Sequence, residues 1–273
     1  MKRLTTFLLA FLFVFACFGQ RVQTYDSKVL TYGGEILANG LPPDMIAGLE
    51  FWYDGRDAAT LSLNGNKVIQ WDDKSGNARH VSNAVDAQRP TYSAITGRLT
   101  FVAANSTYLQ SAAFGPLTQP NTIYILYKII GALGDNEKVF DAVTDLNQLF
   151  YYIGNDFVIY AGVGLTDGAN NANDNIHTAE FNGVTSNYWV NGVLVAGPAN
   201  VGATNLDGIT LGARGNFTHP ADVEIMEVFG YNSQLTSDER IQLTNYLQDK
   251  WDLSLWLIIL LIPNIRRKLK IAA

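Results

Sequence analysis

From Leu49 onward the sequence is a succession of short apolar runs, each closed by turn-forming residues. Leu49 to Tyr53, Val68 to Trp71, Leu99 to Val102, Ile123 to Ile130, Lys138 to Ala142, Leu149 to Ile153, Phe157 to Ala161, Tyr188 to Val190, Val193 to Ala196, Ile209 to Leu211 and Val223 to Tyr231 follow one another. Their spacings are mostly about 8–15 residues, the interval of an antiparallel sandwich or barrel. Asn64-Gly65-Asn66, Asn155-Asp156 and Asn191-Gly192 read as tight turns between paired runs. The sequence has no strand–helix–strand alternation and no glycine-rich phosphate loop, which argues against Rossmann-like and P-loop folds.

One helix is well specified. Thr236 and Glu239 have the spacing of a capping box, with Thr236 as N-cap and Glu239 reaching back to its amide. Asp238 places negative charge at the positive end of the helix dipole. Leu243, Leu247 and Trp251 recur every four residues and predict the face that docks on the sandwich. The fold class expected is therefore all-β, an antiparallel β-sandwich closed by one C-terminal docked helix.

Composition supports this. Among 273 residues, 48% are apolar, 12% aromatic and only 16% charged, with 24 glycines. That balance can bury a large core and suits an extracellular β domain better than a helical one. The net charge of −6 offers no basic surface to neutralise phosphates, so nucleic acid is not an expected partner.

Residues 1–19 read as a signal peptide: Lys2 and Arg3, an apolar stretch from Phe7 to Phe18 too short to span a bilayer, then Gly19. The chain is thus expected to be secreted or held at the cell surface. Cys17, the only cysteine, falls inside this segment, so cleavage after Gly19 removes any disulfide or thiolate chemistry. Val14-Phe15-Ala16-Cys17 also resembles a lipobox, the second reading of this segment, with Phe15 departing from the usual pattern. Residues 20–44 read as an N-terminal arm and linker, with Val29-Leu30 and Ile36-Leu37 flanking Gly33-Gly34 as a small hairpin and Pro42-Pro43 leading into a domain spanning 45–252. Residues 253–273 form an apolar-basic tail, with Arg266, Arg267, Lys268 and Lys270 following its apolar stretch. It reads either as a peripheral membrane contact or as a last strand with a solvated basic end.

The stretch from Leu49 to Asp252 resembles the laminin-G-like jelly-roll modules of the concanavalin A-like lectin/glucanase superfamily. Leu49-Glu50-Phe51-Trp52-Tyr53-Asp54-Gly55-Arg56-Asp57 is similar to the opening strand of those modules. Val68-Ile69-Gln70-Trp71-Asp72-Asp73-Lys74-Ser75-Gly76-Asn77 is similar to their Trp-Asp-Lys-Ser-Gly-Asn turn. Gln88-Arg89-Pro90-Thr91-Tyr92, Asn191-Gly192, Leu211-Gly212-Ala213-Arg214 and Glu227-Val228-Phe229-Gly230-Tyr231-Asn232 match later segments in order. The resemblance implies a jelly roll; such folds host lectins, adhesins, glycanases and structural modules alike.

Three chemistries have candidate residues. Asp222, Glu224 and Glu227 form Asp-x-Glu-x-x-Glu, close to the Glu-x-Asp-x-x-Glu strand motif of laminarinase-type glycosidases within the superfamily, but with the first two acid types exchanged. The exchange shortens one acid and lengthens the other, so a structural role is favoured. The histidines His80, His177 and His219 have no zinc-site spacing, and no Gly-x-Ser-x-Gly elbow exists. No cofactor is required by any motif. Calcium is the one metal considered, through the oxygen-rich turn Asp72, Asp73, Ser75 and Asn77 or the turn of Asp167, Asn170, Asn171, Asn173, Asp174 and Asn175, although side chains in such turns more often bond their own backbone.

Glycan binding needs ring faces for sugar C–H surfaces and planar polar groups for hydroxyls, supplied by loops at one edge of a sandwich. The candidates are Asn105, Tyr108, Asn171, Asn173, Asp174, His177, Arg214, Asn216 and Phe217. Trp52, Trp71, Trp189 and Trp251 are expected in the core instead. The function expected is non-catalytic recognition or adhesion outside the cell, with a glycan or a surface protein as partner. The alternatives are a glycoside hydrolase using Asp222, Glu224 and Glu227, and a structural module of a surface or phage-like assembly.

Overall fold

The computed structural model describes residues 40–253 except 134–135 and 167–169, together with the backbone of three short strands between residues 23 and 36. The signal-peptide reading, Cys17, Asp167 and all of the tail beyond Leu253 lie outside the described residues. Strands Gln23–Tyr25, Lys28–Tyr32 and Glu35–Ile36 form a small antiparallel sheet of their own, which contains the hairpin expected around Gly33-Gly34.

The rest is an all-β antiparallel assembly that curls on itself into a near-barrel sandwich, with one C-terminal helix. One layer is led by Asn121–Ile129, which pairs with Asn175–Phe181 on one side and Val223–Tyr231 on the other. Asn175–Phe181 continues to Ser186–Val190 and Val193–Ala199, and Val223–Tyr231 continues to Leu49–Asp54. The opposite layer runs through Leu61–Asn64, Lys67–Trp71, Val81–Ser82, Leu109–Ser111, Thr210–Leu211, Glu137–Asp141, Leu149–Ile153, Asp156–Tyr160 and Gly164–Thr166. Arg98–Phe101 joins the layers, pairing with Val223–Ile225 on one side and with Thr91–Ser93 on the other.

Two cores follow from the alternation of side chains along each strand. Phe51, Tyr53, Trp71, Phe101, Ile123, Ile125, Phe140, Phe150 and Val228 meet between the layers. Trp52, Tyr124, Leu126, Ile176, Phe229 and Tyr231 point the other way and meet Leu243, Leu247 and Trp251 of the helix. Asn121–Ile129 is thus buried on both faces, which is why its sequence is a continuous apolar run rather than an alternating one. Each such side chain removed from water contributes about 1.5–3 kcal/mol.

The helix spans Ser237–Lys250 and begins with the expected capping box: the Glu239 N–H donates to Thr236 Oγ1 at 3.3 Å and the Thr236 N–H to Glu239 Oε2 at 2.8 Å. Asn191-Gly192 is a tight turn in which both residues have positive φ, 52° and 79°, the geometry that Asn-Gly favours. The turn expected at Asn155-Asp156 falls one residue earlier, at Gly154-Asn155, because Asp156 pairs with Ile153 and Gly154 supplies the positive φ of 61°. Strand Asn175–Phe181, buried along its whole length, was not among the expected runs.

Candidate functional site

The helix covers the outer face of the layer led by Asn121–Ile129, and Glu227 lies beneath it. A register shift opposite Leu126 and Tyr127 places Met226 and Glu227 together on this covered side. Glu227 is fully buried, with its carboxylate taken by four donors: Trp52 Nε1 at 2.8 Å, Tyr246 OH at 2.9 Å, Trp251 Nε1 at 2.7 Å and Lys250 Nζ at 2.8 Å. Burial pushes the Glu227 carboxyl upward, and Lys250 opposes that shift. Asp54 shares Lys250 at 2.6 Å and Lys74 at 2.9 Å; burial pushes its pKa up, but the two lysines outweigh it and the net shift is downward.

The three acids weighed as catalytic residues are each committed elsewhere. Asp222 Oδ1 accepts the Ala103 N–H at 2.8 Å, and Glu224 Oε2 accepts from Arg98 Nη1 at 2.9 Å. Glu227 is closed off by the helix.

The Asp72–Asn77 turn is held by its own hydrogen bonds. Asp73 Oδ1 accepts from Trp52 N and Ser75 N, each at 2.9 Å, and Oδ2 from Ser75 Oγ at 2.8 Å and Arg79 N at 3.0 Å. Asp72 Oδ1 accepts from Gln70 Nε2 at 2.7 Å, and Asn77 Nδ2 donates to the carbonyls of Leu49 and Glu50 at 3.2 and 3.0 Å. Both Asp73 oxygens and Asp72 Oδ1, considered for calcium, accept from N–H and O–H donors, and the turn is clamped to strand Leu49–Asp54. Among the described residues no group of three or more His, Cys, Asp or Glu side chains is arranged to hold a metal ion, and no helix is long and apolar enough to cross a membrane.

The glycan candidates separate into two groups and one exclusion. His177 is wholly buried, stacked on Tyr127 at 4.4 Å, with Nδ1 2.7 Å from the Tyr188 hydroxyl. It was expected in a rim loop; the strand begins at Asn175, and alternation turns His177 into the core. Burial lowers its pKa to about 3.

Tyr108, Arg214, Asn216 and Phe217 meet at one edge. The Tyr108 and Phe217 rings stack at 4.1 Å, and Arg214 grips Asp145 through Nε at 2.7 Å and Nη2 at 2.5 Å. Asn216 Nδ2 also donates to Asp145 Oδ2, at 3.1 Å. Asn105 is exposed in the nearby turn Ala103–Asn105.

Asn171, Asn173 and Asp174 belong to the second group, around a cleft of about 500 Å³ at the C-terminal end of the helix. Lys128, Asn173, Asp174, Asn175, Asn191, Trp251, Asp252 and Leu253 line it. Arg98 fixes its rim, donating to Asp174 Oδ1 at 2.9 Å and Oδ2 at 2.7 Å as well as to Glu224. These bonds raise the Arg98 pKa further. A chain of amides fixes the other side: Asn191 Nδ2 donates to Asn175 Oδ1 at 2.9 Å, and Asn175 Nδ2 to Asn171 Oδ1 at 2.9 Å. Trp251 and Trp52 are buried, as is Trp71. Trp189 is half-buried on the far side of the helix, where the Arg240 guanidinium lies 4.5 Å from its ring in a smaller groove of about 330 Å³.

Sequence reasoning missed Lys128, Asn191 and Trp251 as cleft residues and Arg98 as the partner that holds Asp174. Lys128 had a signal: it is the one charged residue in the run from Ile123 to Ile130.

No protein-family model matches the chain, and no curated protein sequence matches it. Solved structures do. The sialidase of Trypanosoma rangeli in its covalent intermediate with difluorosialic acid aligns at 14% identity and a TM-score of 0.52, covering 84% of this chain and 36% of that one. The same enzyme in complex with sialic acid aligns at 15% identity and a TM-score of 0.50, covering 78% and 36%. The binding domain of Paraclostridial Mosquitocidal Protein 1 aligns at 12% identity and a TM-score of 0.50, covering 72% and 52%. The chain thus spans about a third to a half of the length of these proteins. At such identities the likeness concerns the fold alone, an antiparallel β-sandwich.

Proposed function

We propose that this chain is a non-catalytic carbohydrate-recognition module of the laminin-G-like type, working outside the cell, and that the cleft at the C-terminal end of the helix holds the saccharide. The observation that carries this reading is the Arg98 fork. It holds the Asp174 carboxylate in a fixed position on the wall of a polar, water-accessible cleft. Fixed carboxylate and amide groups suit the alternating donors and acceptors of a sugar, because little side-chain entropy is lost on binding. The commitment of Asp222, Glu224 and Glu227 to structural partners supports binding rather than hydrolysis. The fold likeness to a sialidase solved with sialic acid and with difluorosialic acid supports a carbohydrate rather than a surface protein as partner. The signal-like residues 1–19 agree with an extracellular site of action.

A glycan array probed with the full chain tests the reading, alongside Asn173→Ala and Asp174→Ala. Asn173 is exposed, so its truncation leaves the fold intact. Saccharide binding that falls about tenfold or more in both variants is expected. Absence of any saccharide ligand, or full binding by both variants, contradicts it.

A further inference from the structure

The charge in this cleft is unequally settled. Its two acids are both paired: Asp174 with Arg98 at 2.7 Å and Asp252 with Arg56 at 3.4 Å. Lys128 is not. Its backbone stands opposite Glu224 across the strand pair, yet its ammonium makes no hydrogen bond or ion pair with any described residue. It is half-buried and lines the cleft. A lysine in an otherwise apolar strand costs stability unless its charge reaches water or a partner, and an opposing anion there gains a charge-assisted hydrogen bond. The exposed Asn173 side chain adds an uncommitted amide on the same cleft.

We infer that the ligand of this cleft is an acidic saccharide, its carboxylate received by Lys128 and Asn173. The inference rests on the carbohydrate reading above and narrows it to uronic- or sialic-acid-bearing chains. A carboxylate presents two coplanar oxygens, one for the ammonium and one for the amide, while the paired acids of the rim are left to accept from the sugar hydroxyls. The cation lies on a rigid central strand rather than on a loop, so it selects by charge at a fixed depth in the cleft.

The test uses the full chain and a panel of uronic- and sialic-acid-bearing oligosaccharides, each paired with its neutral methyl ester, with sulfated oligosaccharides as a further arm. Lys128→Met keeps the length of the stem and removes the charge. The expected result is binding of acids about tenfold tighter than of their esters, weakening with salt, and loss of that preference in Lys128→Met, read as the ratio of acid to ester affinity in each chain. Equal binding of acid and ester, a preference retained by Lys128→Met, or binding of sulfated chains alone overturns the inference. If neutral saccharides bind and acidic ones do not, only this inference fails. If no saccharide of either kind binds, the carbohydrate reading itself fails.

Discussion

The indole N–H of Trp251 donates to Oε2 of Glu227 at 2.7 Å, tying the last turn of the helix to the middle of a strand buried beneath it. This bond sets where the helix stops and therefore where the cleft opens, since Trp251 lines the cleft with the two residues that follow it.

Replacing Glu227 with Gln tests this tie. The variant leaves Lys250 with Asp54 as its one carboxylate partner and turns an amide N–H toward donors from Trp52, Tyr246 or Trp251. Breaking a buried charge network in this way costs about 3–5 kcal/mol. Urea unfolding should show a loss of about that size; a loss below about 0.5 kcal/mol would mean that the network does not hold the helix.

Gly230 is required by its neighbour. A Cβ there would lie 2.4 Å from Cζ of Phe51, which is wholly buried. Gly230→Ala should destabilise the protein by about 1–3 kcal/mol through overpacking, and Phe51→Leu in the same chain should recover part of it. Thermal unfolding of the single and double variants measures both; additive losses would contradict the contact.

Much of the fold was legible because its strands and turns obey local rules. The Asn191-Gly192 turn, the Thr236–Glu239 capping box and the run from Ile123 to Ile130 all appear where local chemistry places them. The two opening motifs interlock, with Lys74 bridging Asp54 and Asp57 and Asp73 accepting from the Trp52 N–H, which accounts for their occurrence together. Strand Asn175–Phe181 escaped because its polar residues, Asn175, His177, Thr178 and Glu180, are buried by neighbours distant in sequence. The cleft was half legible: Asn173 and Asp174 were read from their loop, but Arg98 arrives from a strand 76 residues earlier, and no local pattern announces that meeting.

His177 makes stability fall in acid. Its pKa is about 3 in the folded chain because of burial, below the ordinary value of about 6.5. The unfolded chain therefore binds the extra proton between those values. The stability conferred by the neutral ring is fully present above about pH 6.5 and is lost as pH falls through 3, at about 1.4 kcal/mol per unit. His177→Phe should abolish this dependence; an unchanged acid limb in urea unfolding would contradict it.

Asp141 has the opposite sign. Burial raises its pKa to about 7, against N–H donation from Gly215, Leu146 and Ala142. Its contribution is present below about pH 4 and is lost as pH rises through about 7. From about pH 4 to 6.5 it offsets His177, so the unmodified chain should show a nearly flat stability there. In that window His177→Phe should lose stability with rising pH, and Asp141→Asn should gain it. Identical profiles for the two variants would contradict the assignment.

The central claim, that the cleft beside Trp251 is the binding site, is tested most directly by a two-dimensional NMR titration of the full chain with an oligosaccharide selected on the array. The amides of Lys128, Asn173, Asp174 and Asn191 and the indole N–H of Trp251 should shift together and saturate with one affinity. Shifts confined to Tyr108, Asn216 and Phe217, at the edge with the stacked rings, would contradict it.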